Sequence, residues 1–222
     1  VLIKGDTGTG KNLLAKQIHK FSQRREHPFI ECNCIYEDKD SFYKNLVGEI
    51  KKKSADEFDV FHGEFDKAQG GTLVFDEISE LDSKIQPVIK MILENQQYIR
   101  LGDDDDLVDL DTRFVAITNK NLLELVNEQK FDEGLYFCLN VLPLELPPLK
   151  ERTVDISLLT NYFLKKYAFL DEHEEPKIQA EAIQKLESYH WPGNVRELES
   201  IIQRVSLICR NNLITSDDLK IL

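Results

Sequence analysis

Seven residues near the start, Gly5-Asp6-Thr7-Gly8-Thr9-Gly10-Lys11, have the types and spacing of a phosphate-binding loop. Glycines let successive backbone N–H groups turn inward around phosphate oxygens, and a following helix offers the positive end of its dipole. Lys11 supplies a point charge for the β and γ phosphates. Asn12 stands where many such loops carry a Ser or Thr that ligates magnesium. Farther along, Asp76 and Glu77 are adjacent carboxylates. The first could hold magnesium, and the second could orient or deprotonate an attacking water. Asn119 could position a water near a γ-phosphate. Each has a plainer reading on its own: a solvated strand end for the carboxylates, a turn residue for Asn119, a surface arginine for Arg196.

The elements around these residues decide between the two readings. Val1 to Lys4 is β-branched and apolar, and from Lys11 the apolar positions Leu13, Leu14, Ile18 and Phe21 recur at helical spacing. The glycine loop therefore sits between a strand and a helix. Thr72 to Phe75 is a buried strand that delivers Asp76 and Glu77, and Phe114 to Ile117 is another that delivers Thr118 and Asn119. Pro28 to Cys32 and Val141 to Leu144 read as further strands, and a helix is predicted from about Ser83 to Glu94. Strands alternating with helices imply a parallel sheet covered on both faces, whose carboxyl edge is where such folds bind ligands. Composition changes after Pro147-Pro148, so an α/β domain is expected over residues 1–148 and a helical domain over 149–222. The cluster Asp103 to Asp106 with Asp109 and Asp111 reads as the solvated tip of a hairpin, and Lys51-Lys52-Lys53 as a solvated loop tip.

Composition narrows the function class. The 222 residues hold 40 acidic and 28 basic side chains, a formal charge of -12, which repels phosphate backbones and makes this segment a poor binder of nucleic acid. No apolar run is long enough to span a membrane, and no secretory signal is visible, so the cytoplasm is the default. Four cysteines without a partnering Cys or His pair read as reduced structural thiols. Neither a His-Glu-x-x-His zinc site nor a serine nucleophile elbow occurs. The opening on Val1-Leu2-Ile3 without Met is expected of an excised fragment that starts at its first strand.

A longer series then appears in one order: Gly5 to Lys11, Gly70 to Ile78, Ala116 to Asn119, Leu146-Pro147-Pro148-Leu149, and Trp191-Pro192-Gly193-Asn194-Val195-Arg196-Glu197-Leu198. Over nearly its whole length the chain resembles the central AAA+ ATPase domain of bacterial sigma-54-dependent, NtrC-type transcription activators. The resemblance implies a three-layer P-loop AAA+ domain with a parallel sheet, followed by a small helical lid. It implies ATP or ADP with Mg2+ as cofactors, Gly5 to Lys11 and Asn12 as Walker A, and Asp76 and Glu77 as Walker B with Asp76 on magnesium. Asn33 falls at an asparagine that couples γ-phosphate sensing to a surface loop, Thr118 and Asn119 at the first sensor, and Arg196 at the second. The implied partners are further copies of the chain, in a hexameric ring or a lower oligomer, and the RNA polymerase or its sigma factor. DNA is expected to be met only by a separate domain.

Three departures qualify that implication. The family's remodelling loop carries Gly-Ala-Phe-Thr-Gly-Ala, whereas the matching positions here are Lys52-Lys53-Ser54-Ala55-Asp56-Glu57, which argues against engagement of sigma-54. The segment Phe131 to Leu139 puts Asp132 and Cys138 where the family has two arginines that a neighbouring subunit points at the γ-phosphate. Such arginines are worth roughly 10³–10⁵ in rate, so binding with weak or absent turnover is expected. The family's segment before the first strand and its flanking regulatory and DNA-binding domains are expected outside this chain. Two alternatives remain open: a working ATPase with other arginines, Arg152 among them, and a structural domain that merely oligomerises.

Overall fold

The computed structural model describes residues 1–53, 57–103, 106–170, 176–209 and 212–220. Two compact units emerge from its packing: Val1–Lys4 with Lys11–Glu145, and Gly5–Gly10 with Leu146–Leu222.

In chain order the first unit begins with β1 (Leu2–Lys4), α1 (Lys11–Lys20), β2 (Phe29–Asn33), α2 (Lys39–Val47), β3 (Glu49–Lys52), β4 (Phe58–Phe61), α3 (Glu64–Lys67) and β5 (Thr72–Asp76). It continues with α4 (Gln86–Asn95), β6 (Gln97–Tyr98), β7 (Val108–Asp109), β8 (Arg113–Thr118), α5 (Leu122–Asn127), α6 (Glu133–Leu139) and β9 (Pro143–Glu145). Five of these strands form one parallel sheet in the order β2-β5-β8-β1-β9. The central strand β5 buries Leu73, Val74 and Phe75 completely, as a strand covered on both faces must. Strand alternation sends Leu73 and Phe75 into a core shared with Phe42, Leu46, Ile89, Ile92, Leu135 and Leu139 from α2, α4 and α6. The other face is covered by α1, which packs on β1, β5 and β8 through its buried Ala15 and His19. His19 Nδ1 lies 2.9 Å from Thr72 Oγ1, so this buried imidazole is satisfied within the fold. Helices on both faces make the three layers expected from the sequence.

Element boundaries shift for identifiable reasons. α4 starts at Gln86 instead of Ser83, because Pro87 has no N–H to donate and suits only a first helical turn. The lysine-bearing stretch is not a bare loop: β3 and β4 pair as an antiparallel hairpin, with Ile50 opposite Val60 and Lys52 opposite Phe58. The acidic stretch is flanked by the short antiparallel pair β6 and β7, with Asp106 and Asp109 exposed. Asp104 and Asp105 lie outside the described residues.

The second unit comprises α7 (Val154–Leu170), β10 (Lys177–Ile178), α8 (Ala180–Ser188), α9 (Asn194–Ile208) and β11 (Leu213–Ile214). Leu198, Ile201, Ile202 and Val205 recur at helical spacing along α9 and close a core with Leu149, Ile156, Phe163, Leu186 and Trp191. Trp191, 1% exposed, donates its Nε1–H to the Leu186 carbonyl at 2.8 Å. Among the described residues no helix is long and apolar enough to cross a membrane.

Candidate functional site

In the first unit, the ends of β2, β5 and β8 bring the sequence-predicted polar residues to one edge. Asn33 and Asp76 are paired in register across β2 and β5. The Asn12 amide, one residue into α1, donates to Asp76 Oδ2 at 2.9 Å. Glu77 adopts a left-handed backbone (φ 55, ψ 53) as β5 turns into a short 3₁₀ segment at Ile78–Glu80. For a residue with a Cβ this conformation is uncommon, and it is held here by contacts on both sides. Glu77 Oε2 accepts the Asn119 backbone N–H at 3.2 Å, and Lys120 Nζ lies 2.6 Å from Glu80 Oε1. Thr118 is fully buried, and its hydroxyl oxygen accepts the Lys120 N–H at 3.0 Å, shaping the turn that presents Asn119. The Asn33 side-chain oxygen accepts the Ile35 N–H at 2.9 Å, a local turn contact. Lys11 is 5% exposed. The Asp76 carboxylate offers hard oxygen donors of the kind magnesium accepts beside phosphate oxygens. Among the described residues no group of three or more His, Cys, Asp or Glu side chains could hold a metal ion instead.

Asn33 is flanked by Cys32 and Cys34, both buried. Burial pushes the Cys32 thiol up to about 12, with Glu64 adding to the effect, and burial likewise raises Cys34 well above the usual thiol range. These are inert core thiols, as expected from the sequence.

In the second unit, the loop Gly5–Gly10 packs with the helical elements, an association its sequence position does not reveal. Gly8 has φ +81, and a Cβ there would collide with the Gly193 carbonyl and sit 3.2 Å from Arg196 Cβ. Glycine is thus demanded at this position by close backbone approach as well as by loop conformation. The Gly8 carbonyl accepts the Val195 N–H at 2.9 Å and the Arg196 N–H at 3.3 Å. Asn194, 2% exposed, donates its amide to the Thr7 carbonyl at 3.0 Å and accepts the Leu149 N–H at 2.8 Å. Arg152 donates to the Thr9 carbonyl at 2.7 Å, and its Nε is buried without a hydrogen-bond partner. Arg196 is exposed in the first turn of α9.

Arg152 therefore holds a carbonyl of its own chain. Asn194 was quoted in the sequence only as part of a motif. Its signal, an Asn directly ahead of an apolar-periodic helix, resembled an ordinary helix start.

The two positions expected to carry neighbour-directed arginines have other work. Asp132 caps α6, its carboxylate accepting the Leu135 N–H at 2.7 Å while its own N–H donates to Gln86 Oε1 at 2.6 Å. Cys138 Sγ lies 3.4 Å from Glu94 Oε1, and its thiol is raised by burial first and then by Glu94.

The hairpin of β3 and β4 has a firm base. Gly48 (φ +81) and Gly63 approach so closely that a Cβ on either would meet backbone. Asp66 accepts from Gly63 N–H, Tyr98 hydroxyl and Arg100 guanidinium. Burial works against that carboxylate, but these hydrogen bonds hold it below its usual range. Above the base, Phe58, Val60 and Phe61 are exposed, and Lys53 N–H donates to the Glu57 carbonyl at 2.8 Å. Of the motif positions, Ser54, Ala55 and Asp56 lie outside the described residues.

Residues 1–145 match the family model described as the Sigma-54 interaction domain, and residues 150–221 match the AAA+ ATPase lid domain. The chain is 41% identical over 221 residues to the sigma54-dependent transcriptional regulator SfnR of Pseudomonas fluorescens, covering 100% of this chain and 60% of that protein. It is 39% identical to the DNA-binding transcriptional activator HyfR of Escherichia coli, covering 96% of this chain and 32% of that protein. Thus the chain spans less than two thirds of the length of either relative. NtrX from Brucella abortus in complex with ADP superposes with a TM-score of 0.87 at 31% identity, covering 98% of this chain and 48% of that one. The same protein in complex with ATP matches equally, with a TM-score of 0.87 at 30% identity, 98% of this chain and 48% of that one.

Proposed function

Because this chain belongs to the family of sigma-54 interaction domains with an AAA+ lid, found in bacterial transcription regulators, we propose that it binds ATP and ADP and hydrolyses ATP weakly or not at all. Gly5 to Lys11 and Asn12 take the phosphates, Thr118 and Arg196 complete the nucleotide contacts, and Asp76 would hold Mg2+. Magnesium, when bound, neutralises phosphate charge. Glu77, Asn33 and Asn119 are the groups assigned to ordering a water. Binding is further supported by the ADP- and ATP-bound NtrX structures that this chain resembles so closely.

One observation carries the proposal that turnover is weak. Asp132 is committed to capping α6 and Cys138 to Glu94, so neither position offers a cation to a neighbour's γ-phosphate. A carboxylate there opposes the charge of the transferring group instead of neutralising it. Engagement of sigma-54 is reduced as well, since Lys52 and Lys53 take part of the place of the family's apolar loop chemistry. The domain then serves as a nucleotide-responsive scaffold that assembles with copies of itself, with DNA contacted by a separate domain. Calorimetric titration with ATP and ADP, followed by a phosphate-release assay on the same samples, tests this. Binding heat without released phosphate is expected, and absence of binding heat contradicts it.

A second reading, an active ATPase with another cation, has one observation in its favour. Lys90 lies across α6 so that a Cβ on Gly134 would sit 2.8 Å from its Nζ. Under that reading Lys90→Ala abolishes turnover; turnover that is measurable and unchanged in the variant excludes it.

A further inference from the structure

Three consecutive carbonyls of the phosphate loop, those of Thr7, Gly8 and Thr9, are each engaged inside the second unit. Asn194 holds the first at 3.0 Å, the α9 backbone N–H groups of Val195 and Arg196 hold the second at 2.9 and 3.3 Å, and Arg152 holds the third at 2.7 Å. No peptide bond among the described residues is cis. In a planar trans peptide the C=O and the N–H of the next residue point in opposite directions. Fixing the carbonyls of Thr7, Gly8 and Thr9 therefore fixes the N–H vectors of Gly8, Thr9 and Gly10, aiming them away from the helical elements. Of these, the Thr9 N–H is taken up by the Asp6 carbonyl at 3.4 Å, which closes the curve of the loop, so the N–H groups of Gly8 and Gly10 are the ones turned toward an anion. Successive N–H groups aimed to one side of a curved backbone make an anion-binding concavity.

We propose that Asn194 and Arg152 are positioning residues for phosphate recognition: from the helical unit they hold the loop's carbonyls and so aim its N–H groups at a nucleotide's phosphates. The two side chains suit the task. Asn194 has φ 53, a left-handed conformation that Asn tolerates, and its amide donates and accepts at once, tying residue 149 to residue 7. Arg152 reaches Thr9 from the turn Leu149–Glu151 that opens the unit. Loop and helical elements form one packing unit. The inference rests on the nucleotide-binding reading above and adds that the lid sets phosphate affinity through the loop's back side.

The test compares adenosine with ADP, because a positioning role predicts loss only of the affinity that the phosphates add. Binding is measured for the full chain and for Asn194→Gly, Arg152→Met and Arg152→Lys. Asn194→Gly keeps the left-handed backbone and changes no charge. Arg152→Lys keeps a donor for the Thr9 carbonyl. In Asn194→Gly and in Arg152→Met, the gain in affinity from adenosine to ADP is expected to shrink about tenfold, as for loss of one hydrogen bond that holds the loop in place. Adenosine affinity stays constant, and Arg152→Lys retains most of the gain. An unchanged gain in a variant that still melts cooperatively, or equal weakening of adenosine and ADP, overturns the inference. If the unaltered chain binds neither ligand, the nucleotide-binding reading fails instead. Should Asn194→Gly not fold, the two Arg152 variants decide alone.

Discussion

The phosphate loop and the segment Phe131–Leu139 met opposite fates. In the loop every glycine and the lysine of the pattern are present, and the backbone is gripped at three carbonyls. In the other segment both positions for neighbour-directed arginines carry different residues, and these have been absorbed into local structure as a helix cap and a carboxylate-facing thiol. Groups that act on a ligand held by their own chain are retained, whereas groups that act on a neighbour's ligand are replaced. That division is what the proposal of binding with little or no turnover rests on.

The largest expected effect restores the missing side of this comparison. Asp132→Arg together with Cys138→Arg should raise ATP turnover by about 10³, because one such arginine contributes at least that much to phosphoryl transfer. Turnover that stays at its starting level would locate the deficit elsewhere. Removing the retained side comes next: Lys11→Ala should weaken ATP binding roughly 100-fold, the cost of losing a charged hydrogen bond to phosphate, as read by calorimetry. Undiminished affinity would refute the assignment of the loop. A smaller effect separates local structure from chemistry. Asp132→Ala removes the α6 cap and should cost about 1 kcal/mol of stability in a denaturant melt without changing nucleotide affinity.

A pH-dependent effect concerns the strand carrying Asn33. A thiol raised to about 12 in the native state binds its proton more tightly than the unfolded chain does, where the value is near 9.0. Its contribution is fully present below pH 9 and declines as pH rises from 9 toward 12. Melting temperature should therefore fall across that window, and less steeply in Cys32→Ala. At pH 8, Cys32 and Cys34 should resist alkylation until the protein is unfolded, a result mass spectrometry can read directly.

Much of this fold can be read from local signals. β5 and β8 are legible because unbroken apolar runs, Leu73 to Phe75 and Phe114 to Ile117, end on Asp76-Glu77 and Thr118-Asn119 and suit a buried parallel strand. The edge they share, and the residues on it, follow from that geometry. What stayed hidden depends on contacts distant in sequence. Lys51-Lys52-Lys53 conceals a hairpin, since lysines on exposed strands keep no apolar alternation. Gly8 reads equally well as a phosphate glycine and as a glycine against Gly193, 185 positions away by the difference of their numbers. Arg152 shows its charge in the sequence but not whether it serves its own chain or a neighbour. Asn33 was expected beside the catalytic groups, and it stands on their edge with its oxygen turned to Ile35.

The central claim is that nucleotide is bound while the means of completing hydrolysis across a subunit boundary are gone. ATP binding and phosphate release, measured together over a wide range of protein concentration, test it most directly. The account predicts saturable binding with turnover per chain at background throughout. Turnover per chain that climbs with concentration would contradict it, because it would mean that neighbouring copies complete the site despite Asp132 and Cys138.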